Sequence, residues 1–163
     1  MATLLQLFQN RQLVQGAQVV KATQTPPNSG SSATLFTVAG GMVVVTSLVG
    51  RVVTVLSGTT GAVSLGTVPT AGTASTTGIA TATVIGGGQV GAKYAVVGTA
   101  AGAATTLANG GASALAGVVP FLSFMEFIVD PGTINITTSV ATMTGAISWY
   151  LSYVPLDVGA SVS

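Results

Sequence analysis

Side-chain catalysis needs titratable or nucleophilic groups held in clusters, and this sequence has few of them. It contains no histidine, no cysteine and three carboxylates, Glu126, Asp130 and Asp157. Glu126 and Asp130 are close in sequence, but Glu126 sits in an apolar, strand-like run and Asp130 leads a turn. They read as an edge or interface charge and a loop residue, not as an acid and base sharing one substrate. The lack of cysteine excludes disulfides and thiolate metal sites and leaves the redox compartment open.

Two formal motifs need a context that the sequence does not give them. Gly86-Gly87-Gly88-Gln89-Val90-Gly91 satisfies G-x-G-x-x-G. A dinucleotide site, however, needs a helix opening at those glycines and an acid about twenty residues on. The next acid is Glu126, so the run reads as a flexible β-turn. Asn135-Ile136-Thr137 matches the N-glycosylation sequon, yet Met1-Ala2-Thr3-Leu4-Leu5 lacks a basic leader, and no secretory signal is expected. The sequence therefore assigns no catalytic, cofactor-binding or metal-binding residue. The expectation is a non-enzyme with no cofactor.

Charge is scarce: 4% of residues, against roughly a quarter in typical soluble proteins. The cations are Arg11, Lys21, Arg51 and Lys93, and the net charge is +1. Four scattered cations without aromatic stacking platforms do not make a nucleic-acid surface, so no nucleic-acid partner is expected. Free monomers keep a mixed, charged surface, so this one reads as a surface made to be covered. Glu126 lies among Phe121, Phe124, Met125, Phe127 and Ile128. An acid there favours a cationic partner, with Arg51 the internal candidate and an exposed, unpaired Glu126 the alternative.

Mean hydropathy is +0.76, which raises the question of a membrane. Val52 to Ala92 carries no charge, but Gly, Thr and Ser interrupt it every few positions and Pro69 lies within it. The segment from Ala95 to Val119 is mostly Ala, Gly and Thr. Neither offers the roughly twenty predominantly apolar residues of a spanning helix, so no membrane partner is expected.

These residues must be carried by β-strands. The length of 163 residues suits one domain. Thr3 to Ala22 has Leu4, Leu5 and Phe8 at helical spacing with Thr3 as an N-cap, and reads as a helical or extended arm over residues 1–24. Residues 25–32, Thr25-Pro26-Pro27-Asn28-Ser29-Gly30-Ser31-Ser32, have linker composition. Residues 33–163 form a mainly β domain, an antiparallel β-sandwich or jelly-roll-like fold, because short Val, Ile, Thr and Phe runs recur between glycine breaks. The pattern places strands at 34–38, 43–48, 51–56, 62–68, 79–85, 93–97, 122–129, 133–138 and 147–154. Ile147, Trp149, Leu151 and Tyr153 alternate and should share one face. Asp130-Pro131-Gly132-Thr133 reads as a type II turn. Residues 70–77 and 99–117 read as long surface loops or weak edges, and Asn109-Gly110-Gly111 as a turn.

Three stretches carry a resemblance: Phe127-Ile128-Val129-Asp130-Pro131-Gly132-Thr133-Ile134, then Gly145-Ala146-Ile147-Ser148-Trp149, then Tyr153-Val154-Pro155-Leu156-Asp157-Val158-Gly159-Ala160-Ser161-Val162. In that order they resemble small virion structural proteins of tailed bacteriophages. Leu35-Phe36-Thr37-Val38 and Val43-Val44-Val45-Thr46 look similar to the N-terminal strands of those proteins. The resemblance implies a capsid decoration or cement protein, made in the host bacterial cytoplasm and located on the virion's capsid surface. Its implied partners are the major capsid protein and copies of itself, a trimer by analogy with capsid decoration. The alternative is a tail-fibre or host-recognition module, for which Tyr94, Trp149, Tyr150 and Tyr153 are the aromatic candidates.

Overall fold

A computed structural model of the chain describes residues 16–58, 60–97, 106–109, 126–138 and 142–163. Every regular element among them is a strand: β1 (Ala17–Gln24), β2 (Ser32–Ala39), β3 (Val43–Thr54), β4 (Ala62–Pro69), β5 (Ser75–Val84), β6 (Lys93–Val97), β7 (Thr106–Asn109), β8 (Phe127–Val129), β9 (Gly132–Thr138), β10 (Ala146–Pro155) and β11 (Ser161–Val162). Six strands and five strands form two antiparallel sheets packed together as a β-sandwich. Sheet A runs β1-β10-β3, with β8 and β6 sharing the far side of β3 and β7 outside β6. Sheet B runs β11-β2-β9-β4-β5. One parallel pair, Thr81 with Thr106, ties β5 to β7 and joins the sheets along one side.

The core lies between the sheets and is supplied by alternate residues, as the period-2 geometry of strands requires. Ile147, Trp149, Leu151 and Tyr153 all point into it from β10. Val43, Val45, Leu48 and Val52 do so from β3 and meet Leu65, Ile134 and Ile136 of sheet B.

The sequence reading split residues 43–56 into two strands at Gly50, whereas β3 is one twelve-residue strand. Gly50 pairs with Trp149 across β10, and a Cβ there would lie 2.9 Å from Trp149 Cζ3 and 3.1 Å from Ile147 Cγ2. The glycine is the space into which the indole folds, so it continues the strand where composition suggested a break. Residues 75–77, read as loop, open β5. There β5 shifts register against β4 and rides over Gly66, whose Cβ would be 1.9 Å from the Ser75 carbonyl oxygen.

The Asp130–Thr133 turn does more than close a hairpin. It carries the chain from β8 in sheet A to β9 in sheet B. Gly132 has φ 151°, not the value near +80° of a type II turn, and a Cβ would lie 2.3 Å from the Val68 carbonyl oxygen. Glycine is required there, for close approach as much as for its angle.

Of the proposed arm, residues 1–15 fall outside the described residues. Residues 17–24 are not helical: they form β1, paired with β10 from Ala17–Tyr153 to Gln24–Ile147. Val19 packs against the core while Val20 is exposed, a strand alternation that helical counting over Thr3–Ala22 obscured. Thr25–Ser31 then crosses from sheet A to sheet B. It is held by Gly30 N–H donating to the Thr138 carbonyl at 2.7 Å and Thr138 N–H donating to that of Ser31 at 3.1 Å.

Candidate functional site

The residues singled out for chemistry are scattered by the fold. Val45 pairs with Phe127, which sets Glu126 opposite Thr46 near the start of β3, and Arg51 is further along the same strand. Arg51 lies five positions beyond Thr46, roughly 16 Å of extended chain. The expected Arg51–Glu126 ion pair is therefore not formed, because β8 pairs with the opposite end of β3 from Arg51. Glu126 is exposed and so is Asp130. No group of three His, Cys, Asp or Glu that might hold a metal ion occurs among the described residues. No helix among them is long and apolar enough to cross a membrane.

The Gly86–Gly91 run leads into strand β6, not a helix, so the geometry of a dinucleotide site is missing. The run does make β-turns, with Gly88 N–H donating to the Ile85 carbonyl at 3.2 Å and Ala92 N–H to that of Gln89 at 2.9 Å, but they are tied down. Gly86 N–H donates to the Gly61 carbonyl at 3.0 Å, Gly87 N–H to that of Leu56 at 3.0 Å, and Gly91 N–H to that of Val52 at 2.9 Å. Leu56 N–H returns a bond to the Gly88 carbonyl at 2.9 Å. The glycines let this crossing lie flat against the end of β3: Cβ atoms at Gly86 and Gly88 would run into the Gly58 carbonyl oxygen and the Tyr94 hydroxyl.

Tyr94 is buried beneath this crossing and donates its hydroxyl to the Ile85 carbonyl at 3.1 Å. Burial pushes its pKa above the ordinary value of 10.0. The folded state thus keeps a proton that the unfolded chain gives up. Stability from this group is complete below about pH 10 and falls as pH rises from there toward the folded pKa. Comparing urea midpoints at about pH 8 and about pH 10.5 should show an alkaline loss that Tyr94→Phe reduces. At neutral pH the same change should cost about 1 kcal/mol for the lost hydrogen bond. An identical alkaline loss in both proteins would refute this.

The other aromatic candidates divide clearly. Trp149 and Tyr153 are core residues, and only Tyr150 of the four faces partly outward. A stacking platform for a sugar is thereby reduced to one ring. Asn135 lies in central strand β9 between Thr34 and Gly66, half-buried, with its Oδ1 enclosed and unpartnered. The Asn109-Gly110-Gly111 turn falls mostly outside the described residues.

The feature that sequence reasoning missed is Asp157. Its carboxylate accepts the Met42 N–H at 2.7 Å and lies against Gly41, while Leu156 N–H donates to the Met42 carbonyl at 3.0 Å. Gly40 and Gly159 stack so closely that a Cβ on Gly40 would lie 2.3 Å from the Gly159 carbonyl oxygen. The closing Tyr153–Val162 stretch thus has a structural account. Tyr153, Ala160 and Val162 enter the core, Asp157 fastens the β2–β3 turn, and Gly159 at φ 88° swings the chain to sheet B. The signal was an acid one residue after Pro-Leu at a strand end, a turn-forming position.

What the arrangement presents outward is a nearly neutral sheet. On the outer face of sheet A, Val154, Val44 and Ile128 stand side by side across β10, β3 and β8. Val20, Tyr150 and Val49 form a second row across β1, β10 and β3. Ile128 is 63% exposed and Val20 53%. The fold and this surface define a β-sandwich with an apolar outer sheet face. No protein-family model, no curated protein and no solved structure matches the chain.

Proposed function

We propose that this chain is a non-enzymatic structural protein of a tailed-bacteriophage virion, a capsid decoration protein that binds the major capsid protein and copies of itself on the outer shell. The observation that carries the reading is the sparsely charged outer face of sheet A, which carries two apolar rows on a chain with only 4% charged residues. Such a surface suits permanent contact, in which dispersion and apolar burial act without many ion pairs. The trimeric state and the capsid location come from the resemblance of its C-terminal strands to small phage structural proteins. The protein would need no cofactor and no nucleic acid, and it would be made in the bacterial cytoplasm before joining the particle.

Imaging of intact particles that carry the protein tests this. Density for the sandwich repeated over the head with the shell's symmetry is the expected result. Density confined to the tail fibres or tail tip would replace the proposal with the host-recognition reading, and absence from particles would end both. Occupancy on shells should change little between about 0.1 M and about 1 M salt, since exposed ion pairs would be screened over that range and apolar contact would not. A truncation testing the arm should end at residue 15, because removing β1 would strip the edge of sheet A and confound binding with folding.

A further inference from the structure

β1 is held to the sandwich by one neighbour: among the described strands it pairs with β10 alone. None of its described side chains is fully buried, and Ala17 and Val19 reach the core only in part. β11, at the other end of the same belt of strands, is the contrast. It is two residues long, but Ala160 and Val162 are buried and the Asp157 carboxylate on the Met42 N–H fastens the chain that leads to it. β1 has eight residues of strand and little apolar anchorage.

The chain between β1 and β2 has the form of a hinge. Pro26 and Pro27 keep its first part extended. It folds back at Asn28–Ser31, where Ser31 N–H donates to the Asn28 carbonyl at 2.9 Å and Gly30 has φ 75°. Asn28, Ser29 and Gly30 are exposed, and a Cβ on Gly30 would meet nothing within 4 Å. Opening this one turn redirects β1 away from its own β10. Pro26 is buried, so it marks a seat that an incoming linker must also fill.

We infer that β1 is exchanged between copies of this chain, so that β1 of one copy lies on β10 of the next in the register it has at home. Two features choose a second copy as the occupant. From Lys21–Trp149 to Gln24–Ile147, three steps along β1 span two along β10, a bulge that a strand with the same irregularity matches. The outer edge of β1, by contrast, is blunted against an added strand. That bulge, the exposed Lys21 opposite inward-facing Trp149, and the prolines that follow all oppose pairing there. Copies therefore join by replacing β1, not by adding outside it. Reciprocal exchange closes a dimer, and head-to-tail exchange closes a ring. The exchanged strand makes the bonds of the closed one, so concentration decides between them. A tethered strand competes at an effective concentration of about 1 mM, so exchange belongs to crowded copies and not to dilute solution. The inference rests on the reading that copies of this chain assemble, and it names the element that links them.

The chain has no cysteine, which makes a direct test possible. Val20 and Tyr150 are register partners on the outer face, and a disulfide can close across such a pair without touching the core. Full-length Val20→Cys and Tyr150→Cys proteins are unfolded together, refolded at about 1 mM and oxidised; a covalent pair of one with the other is expected. Refolding at about 1 µM should lower its yield by about tenfold or more. Deleting Asn28 and Ser29 shortens the fold-back and should raise the yield. The double variant Val20→Cys with Tyr150→Cys, refolded in dilute solution, should close within one chain, the control that the substituted sites still meet. A mixed pair at about 1 mM no more abundant than the pairs each variant makes with itself overturns the inference. Copies that keep β1 at home and still coat the shell would leave the decoration role standing, so the two proposals fail separately.

Discussion

Trp149→Ala should lower the stability of the fold by about 3–5 kcal/mol, read as a reduced urea midpoint with a similar slope. The indole is wholly buried at the centre of sheet A, between Leu48 and Val52 on the neighbouring strand and beside Ile147 and Leu151 on its own. A domain of this size is stable by about 5–15 kcal/mol, so this one change removes a large share. The pairing with Gly50 supplies a sharper check. Gly50→Ala alone should cost about 1–3 kcal/mol, because its new methyl would press on Trp149 Cζ3. In the Trp149→Ala background only Ile147 Cγ2 at 3.1 Å still crowds the methyl, beside a new cavity, and the same change should cost little, since alanine orders a strand better than glycine. A double-mutant cycle should therefore show coupling of about 1 kcal/mol or more. Costs that add to within about 0.5 kcal/mol would mean that Gly50 is not there for the indole.

The contrast between Gly50 and its neighbours explains what the sequence made legible. Alternation in Ile147-Ser148-Trp149-Tyr150-Leu151 needs only local geometry, so the buried face of β10 could be read directly, as could the β-sandwich class. What a glycine does depends on what faces it across the sheet. Gly50 looked like a break and is a strand interior, while Gly86–Gly88 looked loose and are hydrogen-bonded to Leu56, just past β3, and to Gly61. Ala17–Gln24, read only as part of a helical or extended arm, is a strand whose partner Ala146–Pro155 lies more than a hundred residues away, a pairing that local spacing cannot reveal.

The candidate surface was legible only in outline. Scarcity of charge announced a surface to be covered, but not which one, because the apolar rows are assembled from β1, β3, β8 and β10. Residues such as Val44 and Ile128 are unremarkable members of apolar runs until register places them side by side and outward. The three carboxylates carried the opposite lesson. Searched as a catalytic set they came to nothing, yet Asp157 fastens the β2–β3 turn through the Met42 N–H.

Gly86→Ala is the second change expected to be severe, and it separates a structural crossing from a flexible turn. A methyl group at residue 86 would overlap the Gly58 carbonyl oxygen and come within 2.9 Å of the Gly61 nitrogen. Both obstacles are backbone, so no side chain can swing aside. The Gly58–Gly61 turn must move, and with it the bonds from Ile85 N–H and Gly86 N–H to the Gly61 carbonyl. The expected loss is about 3 kcal/mol, at the upper end for overpacking a rigid site. Gly87→Ala, one residue on, meets open space and only the strain of its φ of 80°, so it should cost about 1–2 kcal/mol. Thermal melts of the two variants should rank them in that order. Equal and small losses would mean that the crossing yields freely, and the run would then be a flexible turn after all.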